Sequence, residues 1–268
     1  MPSTLLQLLA LVCQGNAALA GRRVMPAQPV FTTCLAIHFS ERRGGDRVVL
    51  ANDPAGWFEA LARDGVRQLH ACYLPVAQQS RDERLSLPYL GGGSRWLIEC
   101  RKSATADHWI GHWEQPAGAP RERPWQVDYR RVARDAAPLG DAQLQIPVLF
   151  DELTGQLVDI AAFADQQGYA NFARCFARAA ATLRGSCPVA DTGIAPPGLL
   201  DPRAERLINA CRQAWVFGGM GSWNDVALRD PDALLRYETL TGRLYESLQH
   251  ALGSAVDPRT FADATGPR

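Results

Sequence analysis

The chain has 268 residues, 28 basic and 28 acidic, and no net charge. Of the basic residues 27 are arginine and one, Lys102, is lysine. This excludes a lysine-rich nucleic-acid tail and a polybasic membrane anchor, and any lysine-dependent chemistry has to use Lys102.

The elements follow in chain order from the hydrophobic period. Thr4 to Cys13 is apolar, with Leu5, Leu8, Leu9 and Val12 spaced for one face of a docked helix. Ala18-Leu19-Ala20 mimics a signal-peptidase site, but the segment lacks the basic flank a signal peptide needs. In Val30–Ser40 the period becomes two, with Phe31, Thr33, Leu35, Ile37 and Phe39 on a greasy face. Thr32, Cys34, Ala36 and His38 form the mixed face of the same strand. A turn at Gly44-Gly45 and a short strand at Arg47–Ala51 complete a hairpin. Asp53-Pro54 is an N-cap followed by a first-turn proline, and Gly65 stops the helix that results. Val66–Val76, Arg95–Lys102, His108–Glu114 and Trp125–Val132 read as further strands, with a loop over 77–94.

From about Asp141 the period is helical. One helix carries Phe150, Leu153, Leu157 and Ile160, and the next carries Phe172, Phe176 and Leu183. Asp201-Pro202 opens a helix running to about Phe217. The final helix, Pro231–Leu252, directs Leu234, Tyr237, Leu240 or Thr241, Leu244 and Leu248 inward, and the chain frays from Ser254. Strands first and helices second imply an α+β protein. The expected architecture is an antiparallel sheet of about five or six strands, packed with an N-terminal helix and a C-terminal helical half. Residues 1–135 form the first region, 136–255 a helical region that shares a domain with the sheet, and 256–268 a tail.

Seven cysteines, none within three residues of another, exclude CxxC zinc and redox motifs. Their odd number and apolar settings fit reduced thiols in a cytoplasmic protein, and the arginine-rich, Ala/Gly/Pro-rich composition suggests a bacterial source. Cys34 and His38 share one strand face, and His70 and Cys72 share another. With a favourable register the four would form a Cys/His site able to ligate zinc or supply a nucleophile. His108 and His112 have zinc-helix spacing, but tryptophans and a glycine place them on a strand, about 13 Å apart. The Gly-rich corner 217–225 is the other candidate, a ligand or partner surface formed by Gly219, Gly221, Ser222, Trp223, Asn224 and Asp225, unless Trp223 plugs the core. Gly91-Gly92-Gly93-Ser94 precedes a strand and so aims no helix N-terminus at a phosphate.

Residues 95–134 carry a net charge of +3, whereas residues 135–173 hold six acids and no base. The acidic segment is expected to lie against Arg130, Arg131 and Arg134, or against another chain. No catalytic constellation, nucleotide loop or hydrolase elbow is present. The expected function is that of a non-catalytic binding or accessory protein, immunity-like or a maturation partner, acting on a protein partner or as a homo-oligomer. No cofactor, nucleic acid or membrane is called for. The alternatives are a cytoplasmic enzyme using the Cys/His face or the glycine corner, and a metal-binding protein.

Overall fold

In the computed structural model, which describes residues 1–22, 29–74, 95–140 and 146–262, the alternating segments become six strands. These are β1 (Cys34–Arg43), β2 (Asp46–Ala51), β3 (Gln68–Tyr73), β4 (Trp96–Arg101), β5 (Ala106–Glu114) and β6 (Trp125–Ala136). They lie in the order β2-β1-β6-β5-β4-β3. All neighbours are antiparallel except β1 and β6, which are parallel. The protein is α+β, but its sheet is mixed where a purely antiparallel one was expected. Pattern and turn residues specify hairpins between neighbours in sequence. They do not specify that β6 returns to β1 pointing the same way.

The helices longer than one turn are α1 (Ser3–Leu19), α2 (Pro54–Arg63), α3 (Ile146–Gln166), α4 (Ala170–Leu183), α5 (Pro202–Ala214) and α6 (Pro231–Ala255), and a single helical turn at Pro29–Thr32 stands where the strand expected over Val30–Ser40 was to begin. Three start as their sequence dictates. Asp53, Asp201 and Asp230 accept backbone N–H bonds from Gly56, Arg203 and Ala233 at 2.8, 2.7 and 2.9 Å, each with proline in the first turn. Helix α5 ends at Ala214, short of the expected Phe217. On α6, Tyr237, Thr241, Leu244 and Leu248 are buried, but Leu234 is exposed and Ala233 takes the inward position. The chain does not fray at Ser254. Helix α6 continues to Ala255, a 3-10 turn follows at Pro258–Thr260, and Phe261 bridges to Leu200. The loop expected over 77–94, Gly91-Gly92-Gly93-Ser94 within it, Asp141 and the last six residues lie outside the described residues.

The first helix is more deeply buried than an amphipathic stripe implies. From Leu8 to Ala17 every residue of α1 is buried, including Gln7 just before and Gln14 and Asn16 within it. Gln7 and Asn16 are matched, whereas Gln14 Nε2 has no hydrogen-bond partner among the described residues. The Gln7 amide donates to Cys34 Sγ at 3.2 Å and accepts from the Tyr129 hydroxyl at 3.2 Å. The Asn16 amide donates to Leu69 O at 2.7 Å and accepts from Leu69 N at 2.9 Å. Since β3 is an edge strand, Asn16 supplies the two backbone partners that a seventh strand would have supplied. Gly15 allows this approach. A Cβ there would sit 2.7 Å from Leu69 Cδ2 and 3.0 Å from Phe58 Cε1.

Phe39, Trp57, Trp109 and Tyr129 stack on the α1/α2 side of the sheet, with Phe39 4.2 Å from Trp57 between ring centroids. One hydrophobic cluster runs from these rings through Leu9 and Val12 to Phe163, Phe176, Trp223 and Leu248. The strand-rich and helix-rich regions thus share a core. No helix of the described residues is long and apolar enough to cross a membrane. Replacing Asn16 with Ala leaves a buried N–H and a buried C=O unmatched, each costing about 1–3 kcal/mol. We expect Asn16→Ala to lose roughly 2–4 kcal/mol in urea denaturation. A loss below about 1 kcal/mol would show that water replaces the amide.

Candidate functional site

The four-residue Cys/His constellation does not assemble. Strands β1 and β3 are separated by β6, β5 and β4, four strand spacings or about 19 Å. A β-bulge between Cys34 and Ala36 also splits the first pair. It turns Leu35 outward and puts Cys34 on the core face with Ile37 and Phe39. Burial pushes the Cys34 thiol pKa up, against the bonds from Gln7 and Thr33. His38 lies on the opposite face, 3.1 Å from Asn52 Oδ1. His70 and Cys72 do share a face of β3 and line one cleft.

His108 and His112 are on one strand, as their sequence context requires. His108 Nε2 lies 3.3 Å from Oε2 of the fully buried Glu99, whereas His112 is exposed and paired across the sheet with Asp128. Partial burial, then the Arg130 charge, lowers the His112 pKa. Among the described residues no three His, Cys, Asp or Glu side chains gather to hold a metal.

The glycine-rich corner is built around its tryptophan. Trp223 is fully buried against Tyr169, Phe172, Phe176 and Tyr237. Its indole N–H donates to Thr241 Oγ1 at 2.9 Å, and its carbonyl accepts from the Tyr237 hydroxyl at 2.6 Å. Ser222 and Asp225 close a capping box over Trp223–Asp225, and Trp223 N bonds Val216 O at 3.0 Å. The base of the loop is therefore pinned. Its tip, Gly219-Met220-Gly221, projects with Met220 fully exposed, and Gly221 has φ +81°. Of the proposed surface residues, Trp223 belongs to the core, Ser222 and Asp225 to the cap, the glycines to the tip, and Asn224 to the capped turn, its backbone N–H donating to Ser222 Oγ at 3.2 Å.

Two concave features remain. The first is a cleft of about 950 Å³ between β3, the C-terminal end of α6 and the Pro258–Thr260 turn. His70 sits in it with Nδ1 3.4 Å from Asp257 Oδ2, and Arg259 grips both Asp257 oxygens at 2.8 Å. Burial opposes ionisation of Asp257, but Arg259 and His70 outweigh it and hold the carboxyl well below its usual range. Arg101, Arg203, Tyr73 and His250 also line the cleft.

The second is a groove of about 600 Å³ at the C-terminal ends of β1 and β6, beside the β1–β2 turn. Its lining holds Arg42, Arg43, Arg47, Arg130, Arg131 and Arg134 against one acid, Glu41. The arginines are held in place from below. Asp128 accepts from Arg130 at 2.7 Å and from Ser40 at 2.8 Å, and lies 3.1 Å from Arg47. Arg131 pairs with Glu41, with Asp107 at 2.7 Å and with Asp64 at 3.1 Å. Lys102 reaches Asp135, Asp107 and Asp64 at 2.8, 3.3 and 3.5 Å. Burial alone would raise the Asp128 and Glu41 pKa values, but their arginine partners reverse the shift and hold both low.

Of the acidic segment, Asp135 alone among the described residues meets one of these arginines, with Arg134 Nε 3.6 Å from its Oδ2. Asp135 ends β6 beside Lys102, while Asp151, Glu152, Asp159 and Asp165 are exposed on α3 with no ion pair among the described residues. The sheet's own carboxylates reach the arginines first. No protein-family model matches the sequence, and no curated protein or solved structure matches it.

Sequence reasoning missed Asp257, Arg259, Arg203 and the Lys102–Arg131 network. Asp257-Pro258 repeats the cap signal of Asp53-Pro54 and Asp201-Pro202, and would have marked the C-terminal turn. Nothing local marks Lys102, whose partners come from three other elements.

Two predictions follow from this geometry. The carboxyl of Asp128 titrates lower folded than unfolded, so its stabilisation is present above the unfolded value of about 4 and lost as pH falls through the folded one. Asp128→Asn should cost about 1–3 kcal/mol at pH 7 in urea melts, with the gap to wild type closing towards about pH 2. In thermal melts, Trp223→Ala should cost roughly 3–5 kcal/mol and Met220→Ser within about 0.5 kcal/mol of nothing.

Proposed function

We propose that this is a non-catalytic binding or accessory protein, maturation- or immunity-like, which docks an acidic surface of a partner protein in the arginine groove. The supporting observation is the groove itself, whose lining has six arginines and one carboxylate although the chain as a whole is neutral. Arginine is enriched at protein interfaces because its planar fork pairs bidentately with carboxylates. Arg42 has no partner among the described residues, and Arg43, Arg47, Arg130 and Arg134 are about half exposed while ion-paired at their bases. Val49 and Val132 are exposed on the same strands and add apolar contact. Neutral overall charge argues against a polyanionic nucleic acid as the occupant. Reduced thiols and the absence of a described spanning helix suit a cytoplasmic setting, which belongs to the same proposal.

A second reading has its own support. Asp151, Glu152, Asp159 and Asp165 share the outer face of α3 with the exposed Val148 and Val158. That face complements the groove, so a second copy of the chain is an alternative occupant.

The test is retention of partners from extracts of the source cells on the immobilised chain. Wild type should retain one stoichiometric acidic protein at about 0.1 M salt and release it near 0.5 M, as screening shortens the Debye length. Cross-links should map to residues 42–47 and 130–134. Arg42→Glu combined with Arg130→Glu should abolish retention while leaving the circular dichroism spectrum intact. Equal retention by the variant, cross-links elsewhere, a nuclease-sensitive occupant or no partner at all would overturn the proposal. Salt-sensitive dimers of the purified chain, rescued by Asp151→Arg in the groove variant, would support the second reading instead.

A further inference from the structure

We propose that the cleft between β3, α6 and the Pro258–Thr260 turn binds a small organic anion, a carboxylate or phosphate ester carrying an apolar body. This site is separate from the arginine groove, shares no lining residue with it and stands whether or not the groove docks a partner. A volume of about 950 Å³ is in the range of small-molecule sites.

Four observations set the chemistry. The first is charge. Among the described residues the lining has three arginines, Arg101, Arg203 and Arg259, and two carboxylates, Asp201 and Asp257. Both carboxylates are already occupied. Asp257 serves Arg259 and His70, and Asp201 accepts the Arg203 backbone N–H at 2.7 Å as the cap of α5. Glu99 holds Arg101 and Asp257 holds Arg259, whereas the Arg203 side chain is exposed at the rim with no partner among the described residues, so its guanidinium is the one placed to meet an anion.

The second is an unmatched buried nitrogen. His70 is 7% exposed, its Nδ1 faces Asp257, and its Nε2 has no hydrogen-bond partner among the described residues. A carboxylate on Nδ1 fixes the ring and the tautomer, leaving Nε2 free for one further bond. A buried polar atom without a partner costs about 1–3 kcal/mol, so a ligand hydroxyl or amine at Nε2 removes a penalty the empty chain carries.

The third is the rigidity of the wall. Trp96 donates to Gln249 Oε1 at 2.9 Å, tying β4 to α6. Glu99, fully buried, takes Arg101 Nε and the Leu139 backbone N–H, and Arg101 in turn donates to Leu139 O at 2.9 Å. Gly253 brings α6 close, since a Cβ there would lie 3.3 Å from Ala71 O. The fourth is the apolar lining. Tyr73 stands edge-on to His250 with ring centroids 6.3 Å apart, and Ile146 and Phe261 complete the surface for the ligand's body.

The probe is 8-anilinonaphthalene-1-sulfonate, an aromatic monoanion, titrated into the full chain by fluorescence. Imidazole nitrogen signals of the five histidines are followed by NMR in the same titration. We expect one equivalent bound, with shifts confined to His70 and His250. Arg203→Glu should weaken binding at least tenfold with an unchanged melting temperature, because Arg203 is exposed and supports no contact in the fold. Arg47→Glu, in the other groove, should bind the probe as wild type does. Several weak equivalents, shifts at His38 or His112 in place of His70, or full binding by Arg203→Glu would each overturn the site.

Discussion

The two hydrogen bonds between the Asn16 amide and Leu69 decide where the layers of this protein sit. An open sheet has two edges, and the one at β3 is dealt with by a helix rather than by another strand. For α1 to reach that edge it must lie in the core, which is why Gln7 and Asn16 are buried and why residue 15 has no side chain. Helix α6 then closes on the same edge at Gly253. Helix α6 is thereby committed to the β3 side, while β1 and β2 are packed by α2 alone of the described helices after the first strand. The cleft and the groove are the two consequences of that asymmetry, one walled by helices and the other floored by strands.

Charge follows the same division. The arginine excess is used first in the sheet. Arg131, with 6% of its side chain exposed, neutralises Glu41 and Asp107 and lies 5.3 Å from the centre of the Trp109 ring. The one lysine occupies the crowded position between Asp64, Asp107 and Asp135. A compact ammonium can serve three carboxylates from three directions, which a planar guanidinium does less well. Arg131 also meets three carboxylates, and it shares Asp64 and Asp107 with Lys102. Buried ion pairs of this kind add little net stability, yet removing one partner is costly, so they act chiefly to fix register between α2, β5 and β6. Asp135 marks the strain involved, with φ +50° at the irregular end of β6.

The parts of the fold legible in the sequence were those set by local chemistry. Asp-Pro caps fixed two helix starts, glycines at 44, 45 and 65 marked turns that do need positive φ, and the strand segments fell near their expected places, except that residues 30–32 are helical and β1 begins at Cys34. What stayed hidden depends on distant partners. The parallel β1–β6 pairing needs the whole meander to be in place. The bulge at Cys34 inverts a face assignment that perfect alternation made convincing, and with it the supposed Cys34/His38 pair. The order of strands then separates Cys34 from Cys72. His70 was singled out correctly as a polar group on β3, but its partner Asp257 lies in a segment whose polarity suggested fraying. The turn is held because Thr260 Oγ1 bonds Ala255 O at 3.0 Å and Ala262 N bonds Leu199 O at 2.9 Å.

The fate of the glycine-rich corner bears on the choice between catalysis and binding. Three glycines and an indole suggested a backbone approached by a ligand. The indole instead joins Tyr169, Phe172, Phe176 and Tyr237 in the interior, and its N–H is satisfied by Thr241. A filled core leaves that corner no room for a substrate. Glycine serves here to return the chain across a buried ring, and the one side chain with nothing to hold it, Met220, is directed to solvent. A flexible thioether on a loop with a pinned base suits contact with another surface better than it suits chemistry. The groove and this tip are both open to solvent, while the His70 imidazole in the lining of the β3 cleft is one of several buried polar groups of the described residues whose bonding is incomplete.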